Sequence, residues 1–194
     1  TLNLLVAARD AGVKRFVYGG SSSAYGDTPT LPKHESMPPN PISPYAVSKL
    51  AGEMYARVFT RIYGLPTVCL RYFNLFGPRQ DPTSPYSAVL SIFIAALLRG
   101  QRPTVFGDGE QSRDFTYVDN AVEANLLAAT VPGISGEVFN VACGEDHSVL
   151  GLLDEVNSIL HSQVAPTFTA RRAGDVPRTL ADISKSAKLL RFKP

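Results

Sequence analysis

The sequence predicts an α/β protein with a doubly wound, largely parallel sheet. Two observations carry that prediction. Short runs rich in β-branched and aromatic residues (13–18, 67–71 and 137–141) alternate with longer stretches of helical periodicity. The first two runs lead into Gly19-Gly20-Ser21-Ser22-Ser23, small residues with three hydroxyls, and into Tyr72-Phe73-Asn74, which ends in a polar amide. Open α/β sheets bind their ligands just beyond the carboxyl ends of such strands.

In chain order, residues 1–11 read as a helix with Leu4, Leu5 and Ala8 on one face and Gly12 as its stop. The strand 13–18 and the small-residue loop 19–26 follow. Five prolines between residues 27 and 42 make that stretch a loop. Ser43 is a natural N-cap and Pro44 a natural first helical residue, so a helix starts there and runs to Ile62, before Gly64. Val47, Leu50, Ala51, Met54, Val58 and Ile62 form its apolar stripe, a core or oligomer face. After the strand 67–71, a helix is predicted over 84–99 and a strand over 104–106, ahead of the Gly107-Asp108-Gly109 turn. A strand over 115–118 leads to a helix capped by Asp119 and reaching residue 130. The strand 137–141, a helix over 149–160, a strand over 165–169 and a last helix over 183–190 complete the chain. Beyond residue 84 the short elements are mixed irregularly.

Composition narrows the function classes. The 194 residues can bury a core, and 44% hydrophobic with 19% charged residues is ordinary for a globular protein. A net charge of +2 without a basic block gives no footprint for nucleic acid. No run of 18 apolar residues and no signal peptide appears, which speaks against a membrane span and for the cytoplasm. Cys69 and Cys143 have neither metal nor redox spacing and sit in apolar surroundings, so the reading is reduced thiols that pack, with no metal site.

Tyr45 and Lys49 stand four apart near the start of the helix 44–62, hence on one face and a turn from each other. An ammonium close to a phenol favours the phenolate, and a tyrosine so tuned is a general base for a hydroxyl. On its own the pair is ordinary for an amphipathic helix, the ring packed and the amine solvated. It signifies catalysis only in company.

That company is a set of five blocks: Ser21-Ser22-Ser23-Ala24-Tyr25-Gly26-Asp27; Ser43-Pro44-Tyr45 through Lys49; Leu70-Arg71-Tyr72-Phe73-Asn74-Leu75-Phe76-Gly77-Pro78; Gly107-Asp108-Gly109 on to Arg113-Asp114-Phe115; and Arg172-Ala173-Gly174-Asp175 leading into Leu180-Ala181-Asp182-Ile183-Ser184-Lys185. In these blocks and their order the chain resembles the extended short-chain dehydrogenase/reductase family, in particular its nucleotide-sugar epimerases acting at carbon 4 of UDP-glucose and UDP-N-acetylglucosamine. The resemblance implies a partial Rossmann-type sheet and a small α/β substrate domain. Residues 1–83 would be the later part of the NAD-binding domain, 84–118 and 161–194 the substrate domain, and 119–160 a return to the first. It implies Tyr45 as catalytic base, Lys49 as the lysine that tunes it and holds the nicotinamide ribose, and Ser21 as the catalytic serine four residues before Tyr25. Tyr72 and Phe73 would join Ser21, Tyr45 and Lys49 at the NAD site. Ser22 and Ser23 would meet the sugar, Phe106 the uridine, and Asn74, Arg113 and Arg172 the rest of the UDP moiety. Asp175 would orient Arg172 or touch the sugar, and Thr179 would gate the sugar's 2-substituent.

The implied reaction passes the 4-hydroxyl proton to Tyr45 and a hydride to NAD, turns the 4-keto sugar, and returns hydride to its other face. Ser22 and Ser23 occupy the places where the 4,6-dehydratases of this fold carry Asp-Glu, which disfavours dehydration. Thr179 is small enough to admit an N-acetyl group. Gly144-Glu145-Asp146-His147 departs from a loop in which close relatives place an arginine, and His147 reads as a surface or capping residue. No glycine-rich dinucleotide loop occurs, and the chain opens inside a helix. The resemblance therefore implies a piece lacking the first strands, with one sheet edge open, weak or no NAD binding, and a tendency to self-associate. The family's homodimer would form through a bundle of helices 1–11 and 44–62. Two further readings stay open: a UDP-glucuronate epimerase or decarboxylase, for which Arg178 is the candidate carboxylate-binding cation, and a non-catalytic UDP-sugar-binding module.

Overall fold

The computed structural model describes residues 1–83, 89–172 and 175–194. From the N-terminus, α1 (Leu2–Asp10) and β1 (Phe16–Ser21) are followed by a 3-10 turn, Ser22–Tyr25, and by α2 (Pro44–Tyr63). Next come β2 (Thr67–Tyr72), β3 (Leu75–Phe76), α3 (Val89–Leu98), β4 (Thr104–Phe106), β5 (Ser112–Arg113) and β6 (Thr116–Tyr117). The remainder is α4 (Val118–Thr130), β7 (Val138–Val141), β8 (His147–Ser148), α5 (Val149–Ile159), β9 (Thr167–Thr169), β10 (Arg178–Thr179) and a π-helical turn, Ser186–Leu190.

β2 is the middle of a parallel sheet ordered β1-β2-β7. Its first five residues are buried, as befits a strand covered on both faces, which reads as an apolar run rather than an alternation. On one face α1 and α2 bring Leu5, Ala8, Ala56 and Phe59 against Tyr18, Cys69 and Val138. On the other, Ala124 and Ala128 of α4, with Leu190 and Phe192, cover Val68, Leu70, Phe139 and Val141. Helices on both faces make the sheet doubly wound, as the alternation predicts. α2 begins and ends as its sequence demands. The Ser43 hydroxyl accepts from Ala46 N, Pro44 opens the helix, and Gly64 closes it with a left-handed φ of 69°. Its buried residues are Ala46, Leu50, Gly52, Glu53, Ala56 and Phe59, whereas Val47, Met54, Val58 and Ile62 face outward. The predicted stripe thus divides between two faces.

The smaller layer is built from α3, α5 and β4, whose Phe93, Leu97, Val105, Val149, Leu153 and Val156 form a separate core. Here the structure corrects the domain reading. The chain returns to the parallel sheet for α4 and β7, but β8 pairs with β5 and α5 packs on α3, so 119–160 divides between the two layers. β5 lies between β10 and β8, while β3 pairs with β6 and β4 with β9. Other boundaries move as well, among them the last helix predicted over 183–190, whose end is a π-helical turn, Ser186–Leu190. β1 runs on through Gly19 and Gly20 to Ser21, because its parallel ladder with β2 continues to Ser21↔Tyr72. Asp119 stands in the first turn of α4 rather than at its cap, which is Tyr117. The strand predicted over 165–169 narrows to β9. The predicted start of α3, the boundary at residue 84, and Ala173-Gly174 lie outside the described residues.

The proline-rich loop is held by buried Asn140 on β7. Its side-chain amide donates to Lys33 O at 2.8 Å and Asp182 O at 3.0 Å, while its carbonyl oxygen accepts from the Tyr25 hydroxyl at 2.7 Å. Glu35 accepts from Asn140 N. One buried amide therefore ties loop 27–42 and the segment near residue 182 to the turn that follows β1, with every polar group paired.

Candidate active site

The N-terminal turns of α2 supply the reactive pair. Lys49 Nζ donates to Gly19 O at 3.0 Å and lies 5.9 Å from the centre of the Tyr45 ring. The same turn is propped from below, where the Tyr18 hydroxyl donates to Lys49 O at 3.0 Å. This is possible only because residue 52 is glycine: a Cβ there would lie 2.1 Å from the Tyr18 oxygen. Tyr45 is half exposed and faces a cavity of about 600 Å3. Gly20, Ser21, Ser22, Ser23, Lys49 and Tyr72 line the same cavity.

The serines are distinguishable. Ser21 ends β1 and N-caps the 3-10 turn, its Oγ accepting from Ser23 N at 3.2 Å and from the Ser23 hydroxyl at 2.8 Å. Its oxygen is anchored as an acceptor, so its own proton remains to be donated. The Ser22 hydroxyl has no partner among the described residues. The Tyr72 hydroxyl is held by Asn125, and burial raises its pKa.

Asn74 follows β2 with a φ of 23°, unusual for a non-glycine residue. Its amide nitrogen donates to Asp114 O at 2.9 Å and to Thr179 Oγ1 at 3.2 Å. Asp114, fully buried, accepts from the backbone N–H groups of Cys143, Gly144 and Ala181 at 2.9, 3.0 and 3.2 Å. Burial outweighs those donors and raises its pKa. The latch fixes β5 beside β10, where parallel pairing sets Thr179 against Arg113. Arg113 forms an ion pair with Asp175 at 2.5 Å. Asn74, Arg113 and Asp175 also wall a second, more apolar cavity of about 550 Å3, with Phe93, Val105, Phe115, Gln111 and Phe106. The Arg172 guanidinium stacks 3.7 Å from the centre of the Phe106 ring.

All but one of the site residues read from the sequence therefore line these two cavities. The exception is Phe73, whose side chain is fully buried with Tyr25, Ala142 and Ala181; as a cofactor contact it is corrected to core. A second correction concerns Asp175, whose carboxylate holds Arg113 and not Arg172. A third concerns Arg178. It makes a two-pronged contact with Asp146 at 2.7 and 2.8 Å on the far side of β10 from the cavity, and its pKa rises accordingly. The sequence reading missed Gln111, Phe93, Val89 and Ile92, which line the apolar cavity. Gln111 lay within the Gly107–Arg113 block, and its amide donates to Phe106 O at 2.6 Å. Among the described residues no cluster of His, Cys, Asp or Glu could hold a metal ion, and no helix is long and apolar enough to cross a membrane.

The model of the NAD dependent epimerase/dehydratase family matches residues 1–142. The chain belongs to that family. Among curated relatives, the UDP-glucose 4-epimerase of Mycolicibacterium smegmatis is 37% identical over 195 aligned residues, covering 100% of this chain and 62% of the relative. Among solved structures, the UDP-N-acetylglucosamine 4-epimerase of Methanobrevibacter ruminantium, in complex with UDP-N-acetylmuramic acid, is 42% identical with a TM-score of 0.95, covering 100% of this chain and 61% of that one. The UDP-glucose 4-epimerase of Thermotoga maritima, bound to UDP-glucose, is 39% identical with a TM-score of 0.95, covering 100% and 62%. This epimerase/dehydratase family chain thus spans about three-fifths of the length of the relatives it matches.

Proposed function

We propose that this chain carries the catalytic and UDP-sugar-binding groups of an NAD-dependent 4-epimerase whose preferred substrate is a UDP-N-acetylhexosamine, UDP-glucose being a smaller alternative. One observation carries the reading. A half-exposed tyrosine, a lysine one turn on and an anchored serine share a cavity with Thr179, and that cavity shares three wall residues with an apolar one floored by Phe106. A UDP-sugar has this shape: a flat base, an anionic middle and a polyol. Phe106 and Arg172 suit the base, Arg113 the diphosphate, and Ser21, Ser22, Ser23 and Thr179 the sugar.

Tyr45 would take the proton of the 4-hydroxyl at its phenolic oxygen and return it, with the Ser21 hydroxyl keeping its proton and donating a hydrogen bond to the same sugar oxygen. A nicotinamide cofactor, when bound, supplies reversible hydride acceptance. The residues present suit the nicotinamide ribose, because Lys49 has spent only one of its three N–H bonds, on Gly19 O, and two remain for ribose hydroxyls. Tyr72 borders the same space. Thr179 leaves room at carbon 2 for an acetamido group, and the engagement of Arg178 by Asp146 leaves it turned away from a sugar carboxylate, which disfavours UDP-glucuronate.

Calorimetric titration of the purified chain with UDP-N-acetylglucosamine, UDP-glucose, UDP-glucuronate and NAD+ tests this. Tightest binding of the N-acetylated sugar is expected; tightest binding of UDP-glucuronate, or none of any UDP-sugar, overturns it. We also infer a homodimer in which α1 and α2 meet their copies, supported by exposed Leu4, Val47, Met54, Val58 and Ile62 along those helices. Sedimentation of a monomer at high protein concentration would refute it. Two free cysteines suit the reducing cytoplasm.

A further inference from the structure

Resting on the UDP-sugar reading, we infer that Asn140 is a positioning residue for the sugar: its buried amide ties the serine turn to the end of β10 and so shapes the sugar cavity, while the nucleotide cavity is held without it. Asn140 is fully buried and lines neither cavity. Its orientation is fixed by chemistry. Lys33 O and Asp182 O are carbonyl oxygens that only accept, so the atom 2.8 and 3.0 Å from them is the amide nitrogen, with both its protons spent. The side-chain carbonyl oxygen accepts from the Tyr25 hydroxyl at 2.7 Å. Tyr25 closes the 3-10 turn that carries Ser22 and Ser23, and Asp182 follows shortly after Thr179 of β10. Ser21, Ser22, Ser23 and Thr179 all line the sugar cavity. A single planar group thus joins two parts of that lining from behind.

The nucleotide side has its own support. The Asp114 carboxylate accepts from Ala181 N and from the N–H groups of Cys143 and Gly144, and its backbone oxygen accepts from Asn74. Phe93 and Val105 of the nucleotide cavity belong to the core of the smaller layer. None of these contacts passes through Asn140. The proline loop also keeps its own bonds to the strand end, with Lys33 N donating to Leu180 O at 2.7 Å and Asp182 N to Lys33 O at 2.8 Å. Losing the Asn140 amide therefore leaves the end of β10 and the proline loop in place, and what it frees is the serine turn. A small displacement of that turn re-aims three hydroxyls at once, and ligand-binding groups act fully only when the residues behind them hold their geometry. The tie matters to a sugar and is silent to a base and its diphosphate.

The test compares UDP with UDP-N-acetylglucosamine by calorimetry on the wild-type chain, Tyr25→Phe, Asn140→Leu and the double variant, each checked for folding by circular dichroism. Tyr25→Phe cuts only the tie to the turn and keeps the ring that packs under Arg71 and beside Phe73. In Tyr25→Phe, UDP affinity should stay within about twofold, while the gain in affinity from adding the sugar should shrink about fivefold. Asn140→Leu should shrink it at least as much, and the double variant no further, because both changes break one connection. Should Asn140→Leu not fold, Tyr25→Phe carries the test alone. Parallel losses for UDP and the UDP-sugar would mark a merely structural role and overturn the inference. So would an unchanged sugar gain in Tyr25→Phe, or a wild type that binds the UDP-sugar no tighter than UDP. Failure of the wild type to bind either ligand overturns the UDP-sugar site itself.

Discussion

Replacing Arg71 by methionine strands a charge. Arg71 on β2 and Glu53 on α2 are 3% and 2% exposed, and the guanidinium donates to both carboxylate oxygens, at 2.9 and 2.7 Å. The carboxylate holds the Arg71 pKa above its usual value in spite of burial. Arg71 also lies 4.6 Å over the Tyr25 ring, so one side chain ties the catalytic helix to the turn that carries the serines. A variant lacking the guanidinium leaves Glu53 uncompensated in the interior, which costs about 3–5 kcal/mol. That is a large share of the roughly 5–15 kcal/mol that holds a typical domain together. Pairing it with Glu53→Met removes both charges and should recover most of the loss. The chain has no tryptophan, so urea unfolding is best followed by circular dichroism at 222 nm, comparing midpoints at constant slope. A loss under about 1 kcal/mol for Arg71→Met, or a double variant no more stable than the single one, would refute the reasoning.

Three other predictions follow from the same geometry. Burial pushes the Tyr25 phenol and the Cys69 thiol up to about 12, from ordinary values of 10.0 and 9.0, so both stay protonated in the fold where the unfolded chain ionises. The stability they contribute is present below about pH 9 and lost towards pH 12; Tyr25→Phe should flatten the upper part of that fall by roughly 3 kcal/mol in pH-dependent denaturation, and an unchanged curve would remove Tyr25 from the account. Thr179→Tyr should lower affinity for UDP-N-acetylglucosamine at least tenfold and leave UDP-glucose within about threefold, a difference of at least about 0.7 kcal/mol; equal losses of both would sink the gate. Phe106→Ala removes the ring under Arg172 and should weaken UDP itself about tenfold in the same titration, whereas unaltered UDP affinity would place the base elsewhere.

What was legible in the sequence was whatever neighbours in the chain decide. Ser43, Pro44 and Gly64 define α2 by capping, and the four-residue spacing of Tyr45 and Lys49 places them on one face without help from the rest of the fold. The strands β1, β2 and β7 show as apolar runs because both faces of the sheet are covered. The two-residue strands β3, β5, β8 and β10 are too short for any period, and they exist because of partners up to 66 residues away, as when Thr179 pairs with Arg113. The choice of Arg113 over Arg172 by Asp175 is likewise a fact of three dimensions. Nor could periodicity say that α5 joins α3 rather than the sheet, since its apolar face suits either. Phe73 shows the opposite failure. Its neighbours Tyr72 and Asn74 both reach the cavities, and strand alternation turns the residue between them into the core.

The approach of Tyr18 to Gly52 has a further consequence for how the base is aimed. A helix lying on a sheet can in general roll about its axis by small amounts as side chains repack. Here an aromatic ring occupies a notch the width of one missing methyl group, and no other residue of α2 facing the sheet offers such a notch. Rolling the helix in either direction would drive the flank of a neighbouring turn into the ring. The angle at which Tyr45 looks into the sugar cavity is therefore keyed by an absence, and Gly52→Ala, a change of one carbon seven residues downstream, should misdirect the phenol while leaving every group that touches a ligand chemically intact.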